Sequence, residues 1–138
     1  MRRQSIFVTV DAVVFLFENN KEYVLLIQRK NEPYKGQWAL PGGFVEEDED
    51  LETAARRELK EETGMDLESC EQLFTFSKPG RDPRGRTISI VYAGLASKSK
   101  EPKAADDAKD ARWFPIEKLP KLAFDHNEII ALAISEIL

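Results

Sequence analysis

The stretch GGFVEEDEDLETAARRELKEETGM, residues 42–65, decides how this chain is read. It carries nine carboxylates, seven Glu and two Asp, yet Leu51, Ala54, Ala55, Leu59 and Met65 recur among them at amphipathic-helix spacing. Asp48 or Asp50 can cap the start, acids in the first turn suit the positive end of the helix dipole, and Gly64 supplies a left-handed stop. This predicts one helix over residues 50–63. Glu58, Glu61 and Glu62 then stand at i, i+3 and i+4, with β-carbons about 5–6 Å apart on one patch. Like charges so placed cost roughly 0.2–0.5 kcal/mol per pair, and Arg57, four residues before Glu61, offsets only part of it. Hard oxygen donors gathered this way suit Mg²⁺, which sits between one or two carboxylates and substrate phosphates while keeping several waters. An acid-rich helix is commonly just a solvated face, so the spacing of three Glu does not decide between the two.

Working outward, residues 6–17 (IFVTVDAVVFLF) and 22–30 (EYVLLIQRK) are rich in β-branched and aromatic types around the polar ENNK turn, which predicts two paired strands. NEPYKGQW reads as a loop, and in WALPGGFV the residues Pro41, Gly42 and Gly43 exclude regular helix. After the acidic helix, EQLFTFSKP and TISIVYAGLAS flank GRDPRGR, which predicts a hairpin with a basic tip. KSKEPKAADDAKD is expected to be an exposed loop, ARWFPIEKLP a short strand ending in a Pro-bounded turn, and DHNEIIALAISEIL a final helix. Ile129, Ile130, Leu132, Ala133, Ile134 and Ile137 give that helix a broad apolar face to lay on a sheet. Mixed strands and helices without repeats or linkers imply an α/β or α+β sandwich formed by one domain over residues 1–138.

The single cysteine, Cys70, cannot form an internal disulfide, and no apolar run approaches the roughly 20 residues that span a bilayer. Asp11 interrupts the first apolar run, and no cleavage site follows it; a soluble, cytoplasmic setting is expected. A net charge of −5 gives no general attraction to nucleic acid or anionic membrane, so a polyanionic small molecule needs a local cation site. Arg81, Arg84 and Arg86 concentrate such charge on the hairpin tip, where guanidinium forks suit phosphate, although a solvated basic turn would read the same way. Arg29, at the end of the second strand, is a further candidate. Trp38, Trp113 and Phe114 are expected to pack in the core, His126 to be structural or capping, and Cys70 to be inert.

From Gly43 the sequence reads G-x5-E-x7-R-E-U-x-E-E-x-G-U, filled by Gly43, Glu49, Arg57, Glu58, Leu59, Glu61, Glu62, Gly64 and Met65. This resembles the Nudix box at every fixed position, and the likeness extends through GQWALPGG before it and ARWFPIEKLP after it. The resemblance implies an α/β/α sandwich with a mixed central sheet, and hydrolysis of a nucleoside diphosphate linked to another group with Mg²⁺ or Mn²⁺ on the box helix. It further implies Glu58 and Glu62 as main metal ligands, Glu61 as a further ligand or water-positioning group, and the Gly42 carbonyl as a ligand from the preceding turn. Arg57 and Glu49 would orient that set. A general base would come from a later loop, where Asp106 and Asp107 are the candidates, Asp107 above all.

SKPGRDPRGRTISIVYAGL, AADDAKDARWF and LAFDHNEII together resemble the ADP-ribose pyrophosphatase branch of the family, which implies cleavage of ADP-ribose to AMP and ribose 5-phosphate. A nucleotide sugar, a dinucleoside polyphosphate or an oxidised nucleotide remains an alternative substrate. So does a regulator that senses ADP-ribose derivatives without hydrolysing them, though the intact box and the lack of room for a DNA-binding module set it behind. The resemblance is also compatible with a homodimer.

Overall fold

The computed structural model describes residues 4–96 and 101–138. Within them lie seven strands, two α-helices and a 3₁₀ turn. The strands are β1 (Phe7–Glu18), β2 (Lys21–Arg29), β3 (Trp38–Ala39), β4 (Gly42–Phe44), β5 (Glu71–Phe76), β6 (Thr87–Leu95) and β7 (Ala108–Pro115). The helices are α1 (Leu51–Thr63), between β4 and β5, and α2 (His126–Ile137), at the end. All seven strands form one mixed sheet ordered β3-β2-β1-β6-β5, with β4 added to β1 and β7 to β2. β1 runs parallel to β6 from Phe7 to Phe15, and the remaining pairings are antiparallel.

β1 is covered on both faces, which is why its sequence is a nearly unbroken apolar run. Side chains alternate across a strand, so Val10, Ala12 and Val14 take the face under α1, with Ala54, Ala55, Leu59 and Met65. Val13 and Phe15 take the other, with Ile129, Ile130 and Ala133 of α2. By the same alternation Asp11, 6 % exposed, falls on the α2 face. Among the described residues every buried side-chain nitrogen and oxygen has a hydrogen-bond partner, and no helix is long and apolar enough to cross a membrane.

One feature of the sheet positions the site. β1 pairs with β2 only through Phe15–Glu18, while its first half pairs with β4 at Thr9, Val10 and Asp11. β2 in turn pairs with β3 at Ile27 and Gln28. The segment from Trp38 to Phe44 is therefore wedged between two diverging strands, held also by Ala12 N–H to the Pro41 carbonyl at 2.8 Å. Gly42 is required there, because a β-carbon would run into the Val10 carbonyl.

The anticipated elements are present, with two differences. β7 begins at Ala108, so Ala108, Lys109 and Asp110, expected in the exposed loop, lie in an edge strand along β2 whose polar residues hide its pattern. Residues 98–100 of that loop lie outside the described residues. On α2, Leu132 is 41 % and Ile137 36 % exposed, so the buried stripe is narrower than expected, because one sheet face covers only one side of the helix. Trp38 and Phe114 meet edge to face at 4.8 Å beside the core under α2, as aromatics packed on the sheet.

Candidate active site

α1 is capped as its sequence demands. The Asp50 side chain accepts from Thr53 N–H at 2.9 Å, and Gly64 closes the helix at φ 72°. Its buried residues include Ala54, Ala55, Leu59 and Glu62, so Glu62 lies inside the apolar stripe and only 5 % of it is exposed. The Glu62 carboxylate accepts from Gly42 N–H at 2.8 Å, which joins the helix to the wedged turn. Burial pushes its pKa up to about 8 against that bond, with Glu58, Asp107 and Asp11 adding to the rise. Burial likewise raises the pKa of Glu58, opposed by Arg57 and assisted by Glu61 and Asp107. A β-carbon on Gly43 would collide with the Glu58 carboxylate, so this glycine makes room for a functional group.

Arg57 organises the acids around it. Its guanidinium grips Glu49 with two N–H groups at 2.9 and 2.6 Å, and reaches Glu58 at 2.7 Å, Glu61 at 3.3 Å and the Phe44 carbonyl at 3.1 Å. These bonds hold the Glu49 carboxyl down at about 2 and raise the hold of Arg57 on its own proton. With its donors committed to protein oxygens, Arg57 orients carboxylates.

These groups open onto a cleft of about 480 Å³. Of the residues singled out from sequence, Gly42, Gly43, Arg57, Glu58, Glu62, Asp107, Arg29, Arg81 and Arg84 line it. Glu61, bonded to Arg57 with 42 % of its side chain exposed, Arg86, bonded to the Ser77 carbonyl, and Asp106 lie outside the lining. Glu49, Leu59 and Gly64 serve as clamp, core residue and helix stop. Each cleft arginine already has a partner. Arg29 donates to the Pro33 carbonyl at 2.6 Å, Arg81 forks onto Asp125 at 2.9 and 2.7 Å, and Arg84 forks onto Asp82 at 3.1 and 2.8 Å. Arg84 also lies over the Phe44 and Phe124 rings, 4.8 and 5.4 Å from their centroids. Burial, and after it the neighbouring Arg84, lower the pKa of Arg29 against the pull of Glu62, Asp82 and Asp107.

Asp11, Asp82, Phe124 and His126 also line the cleft and were not expected there. A signal existed for Asp11, a lone charge inside an otherwise apolar strand. His126 gave none, because its neighbours come from remote parts of the chain. Among the described residues no three His, Cys, Asp or Glu side chains form a ready-made metal cage. The available donors are carboxylates on α1 and backbone at Gly42, a hard oxygen set open on the cleft side.

Comparison with known proteins agrees with this geometry. The family description "NUDIX domain" matches residues 8–133. An ADP-ribose pyrophosphatase of Methanocaldococcus jannaschii is 52 % identical over 123 residues, covering 89 % of this chain and 70 % of that one. An ADPR-responsive transcriptional repressor, NtrR, of Acinetobacter baylyi is 36 % identical over 94 % of this chain, which spans 53 % of that relative's length. Among solved structures, the NUDIX domain of Shewanella oneidensis NrtR in complex with ADP ribose superposes with a TM-score of 0.90 at 35 % identity, covering 99 % of this chain and 91 % of that one.

Proposed function

The chain belongs to the Nudix family, and on that footing we propose that residues 1–138 act as a pyrophosphohydrolase converting ADP-ribose to AMP and ribose 5-phosphate with a divalent cation. The observation that carries this reading is one cleft lined by the paired carboxylates Glu58 and Glu62, the Gly42–Gly43 turn and the four guanidinium groups of Arg29, Arg57, Arg81 and Arg84. The donor set fits Mg²⁺ or Mn²⁺: all oxygen, with burial first and neighbouring negative charge second pushing Glu62 up to about 8. Glu58, Glu61, Glu62 and the Gly42 carbonyl would hold the ion. When bound, it neutralises charge on the pyrophosphate and makes water a better nucleophile at neutral pH.

The chain's own groups do the rest. Arg57 and Glu49 keep Glu58 and Glu61 turned to their task. Arg29 and Arg84 receive phosphate oxygens, Arg81 holds the cleft wall through Asp125, and Arg86 braces the hairpin carrying them. Asp107 takes the proton of the attacking water as its oxygen bonds to one phosphorus and the bridging P–O bond breaks. The two products leave as monophosphates. The likeness to an ADPR-responsive repressor favours one other reading, binding of ADP-ribose without turnover. Incubation with ADP-ribose and Mg²⁺, followed by product identification, separates the two. AMP and ribose 5-phosphate are expected, whereas saturable binding with intact ligand recovered would establish the sensing role instead.

A further inference from the structure

Phe124, Asp125 and His126, at the start of α2, each act on a different wall of the cleft. Asp125 pairs with Arg81, and Phe124, held at φ 54°, lies against the guanidinium groups of Arg29 and Arg84. His126 is 4 % exposed, and the proposed reaction gives it no work. Its Nδ1 accepts from Leu40 N–H at 3.0 Å, which assigns the ring proton to Nε2. Nε2 faces Asp11 Oδ1 at 3.5 Å, and the other oxygen of Asp11 accepts the Ser89 hydroxyl. One buried imidazole thus spans from a backbone N–H in the wedged segment to a carboxylate on β1.

The Leu40–Gly42 turn has few restraints of its own, since two glycines follow Pro41. It is tied residue by residue instead. Ala123 N–H donates to the Trp38 carbonyl at 2.8 Å, Leu40 N–H to His126, Ala12 N–H to the Pro41 carbonyl at 2.8 Å, and Gly42 N–H to Glu62 at 2.8 Å. Of these, the ties at Leu40 and Gly42 are made by side chains of the two helices, and Asp11, whose Oδ1 lies 3.5 Å from His126 Nε2, is the strand partner of Gly42. We propose that His126 is a positioning residue, holding the Leu40–Gly42 turn so that the Gly42 backbone stays in register with Glu62.

The test compares two substitutions in the full chain. His126→Asn keeps an acceptor near the position of Nδ1; His126→Gln carries its amide out to the position of Nε2 and leaves Leu40 N–H without a partner. Amide hydrogen exchange of the metal-free protein should quicken at Leu40 and Gly42 in His126→Gln, while the β1–β6 ladder stays protected, and should remain slow in His126→Asn. With ADP-ribose and saturating Mg²⁺, kcat should fall on the order of 10²-fold in His126→Gln, at little-changed KM, because a small misplacement costs about that much; His126→Asn should restore most of it. Equal behaviour of the two variants, or unchanged exchange at Gly42 in His126→Gln, overturns the proposal. If His126→Gln does not fold, nitrogen NMR of the wild-type imidazole decides: a proton on Nδ1 near neutral pH refutes the role. The kinetic arm rests on the proposed hydrolysis and the exchange arm does not, so a wild type inactive on ADP-ribose would remove the substrate reading alone.

Discussion

Replacing Glu62 by Gln should abolish turnover and at the same time stabilise the metal-free protein. The amide oxygen can keep the bond from Gly42 N–H, now 2.8 Å from the carboxylate, so the change removes charge with little change of shape. In the wild type that charge is disfavoured, since burial and neighbouring acids raise the carboxyl from 4.5 to about 8. An acid whose folded pKa is raised carries no penalty below its unfolded pKa. The penalty grows as pH climbs from 4.5 and levels off above about 8. At about 1.4 kcal/mol per pH unit it comes to about 3 kcal/mol at pH 7 and about 5 kcal/mol at the plateau. Glu62→Gln escapes it, so with a chelator present its Tm at pH 7 should exceed the wild type's by roughly 10 °C. The advantage should vanish near pH 4. Scanning calorimetry from pH 4 to 9, with product assays in Mg²⁺, gives both readouts. A variant no more stable than the wild type at pH 7, a pH-independent difference, or near-normal turnover would refute the reasoning.

Three further outcomes are expected. Arg57→Lys retains a positive charge but cannot reproduce the fork onto Glu49 or the bonds to Glu58 and Glu61, so kcat should drop by an order of magnitude or more and stability by about 1.5–3 kcal/mol, read by steady-state assay and urea unfolding. Gly43→Ala should push the Glu58 carboxylate aside while leaving the sheet intact, so activity should fall further than circular dichroism or Tm changes, and Mn²⁺ binding measured by paramagnetic resonance should weaken. Because protons and cation compete for Glu58 and Glu62, whose pKa values are raised in the metal-free protein, activity should rise from acid toward alkaline pH. The midpoint of that limb should move to lower pH as Mg²⁺ is increased, and a limb indifferent to Mg²⁺ would contradict the assignment.

Much of this site could be read from spacing along one helix. Glu62 follows Leu59 by three residues and Ala55 by seven, inside the apolar stripe, and Glu58 follows Ala54 by four, whereas Glu61 falls outside it. Burial of Glu62 and exposure of Glu61 were therefore implicit in the pattern that predicts the helix. The Asp50 cap and the Gly64 stop were legible for the same reason, since local hydrogen bonding and backbone conformation set them. The hairpin arginines were legible only in part. Their clustering is visible, but Arg81 is spent on Asp125, 44 residues away, and Arg84 is oriented by Asp82 and two aromatic rings with 35 % of its side chain still exposed.

Local sequence by itself determined the acidic helix, the tight turn before it and the nearly unbroken apolar run that marks β1 as a buried strand, because each depends on neighbours within a few residues. Only the tertiary structure decided that Asp11, Gly42, Glu62 and His126 meet. That meeting arises where β1 and β2 diverge and admit the Trp38–Phe44 segment between them, and where α2 begins over the same opening. The hydrogen bonds that close it join residues from 20 to 86 positions apart, and no periodicity in the chain encodes contacts of that range.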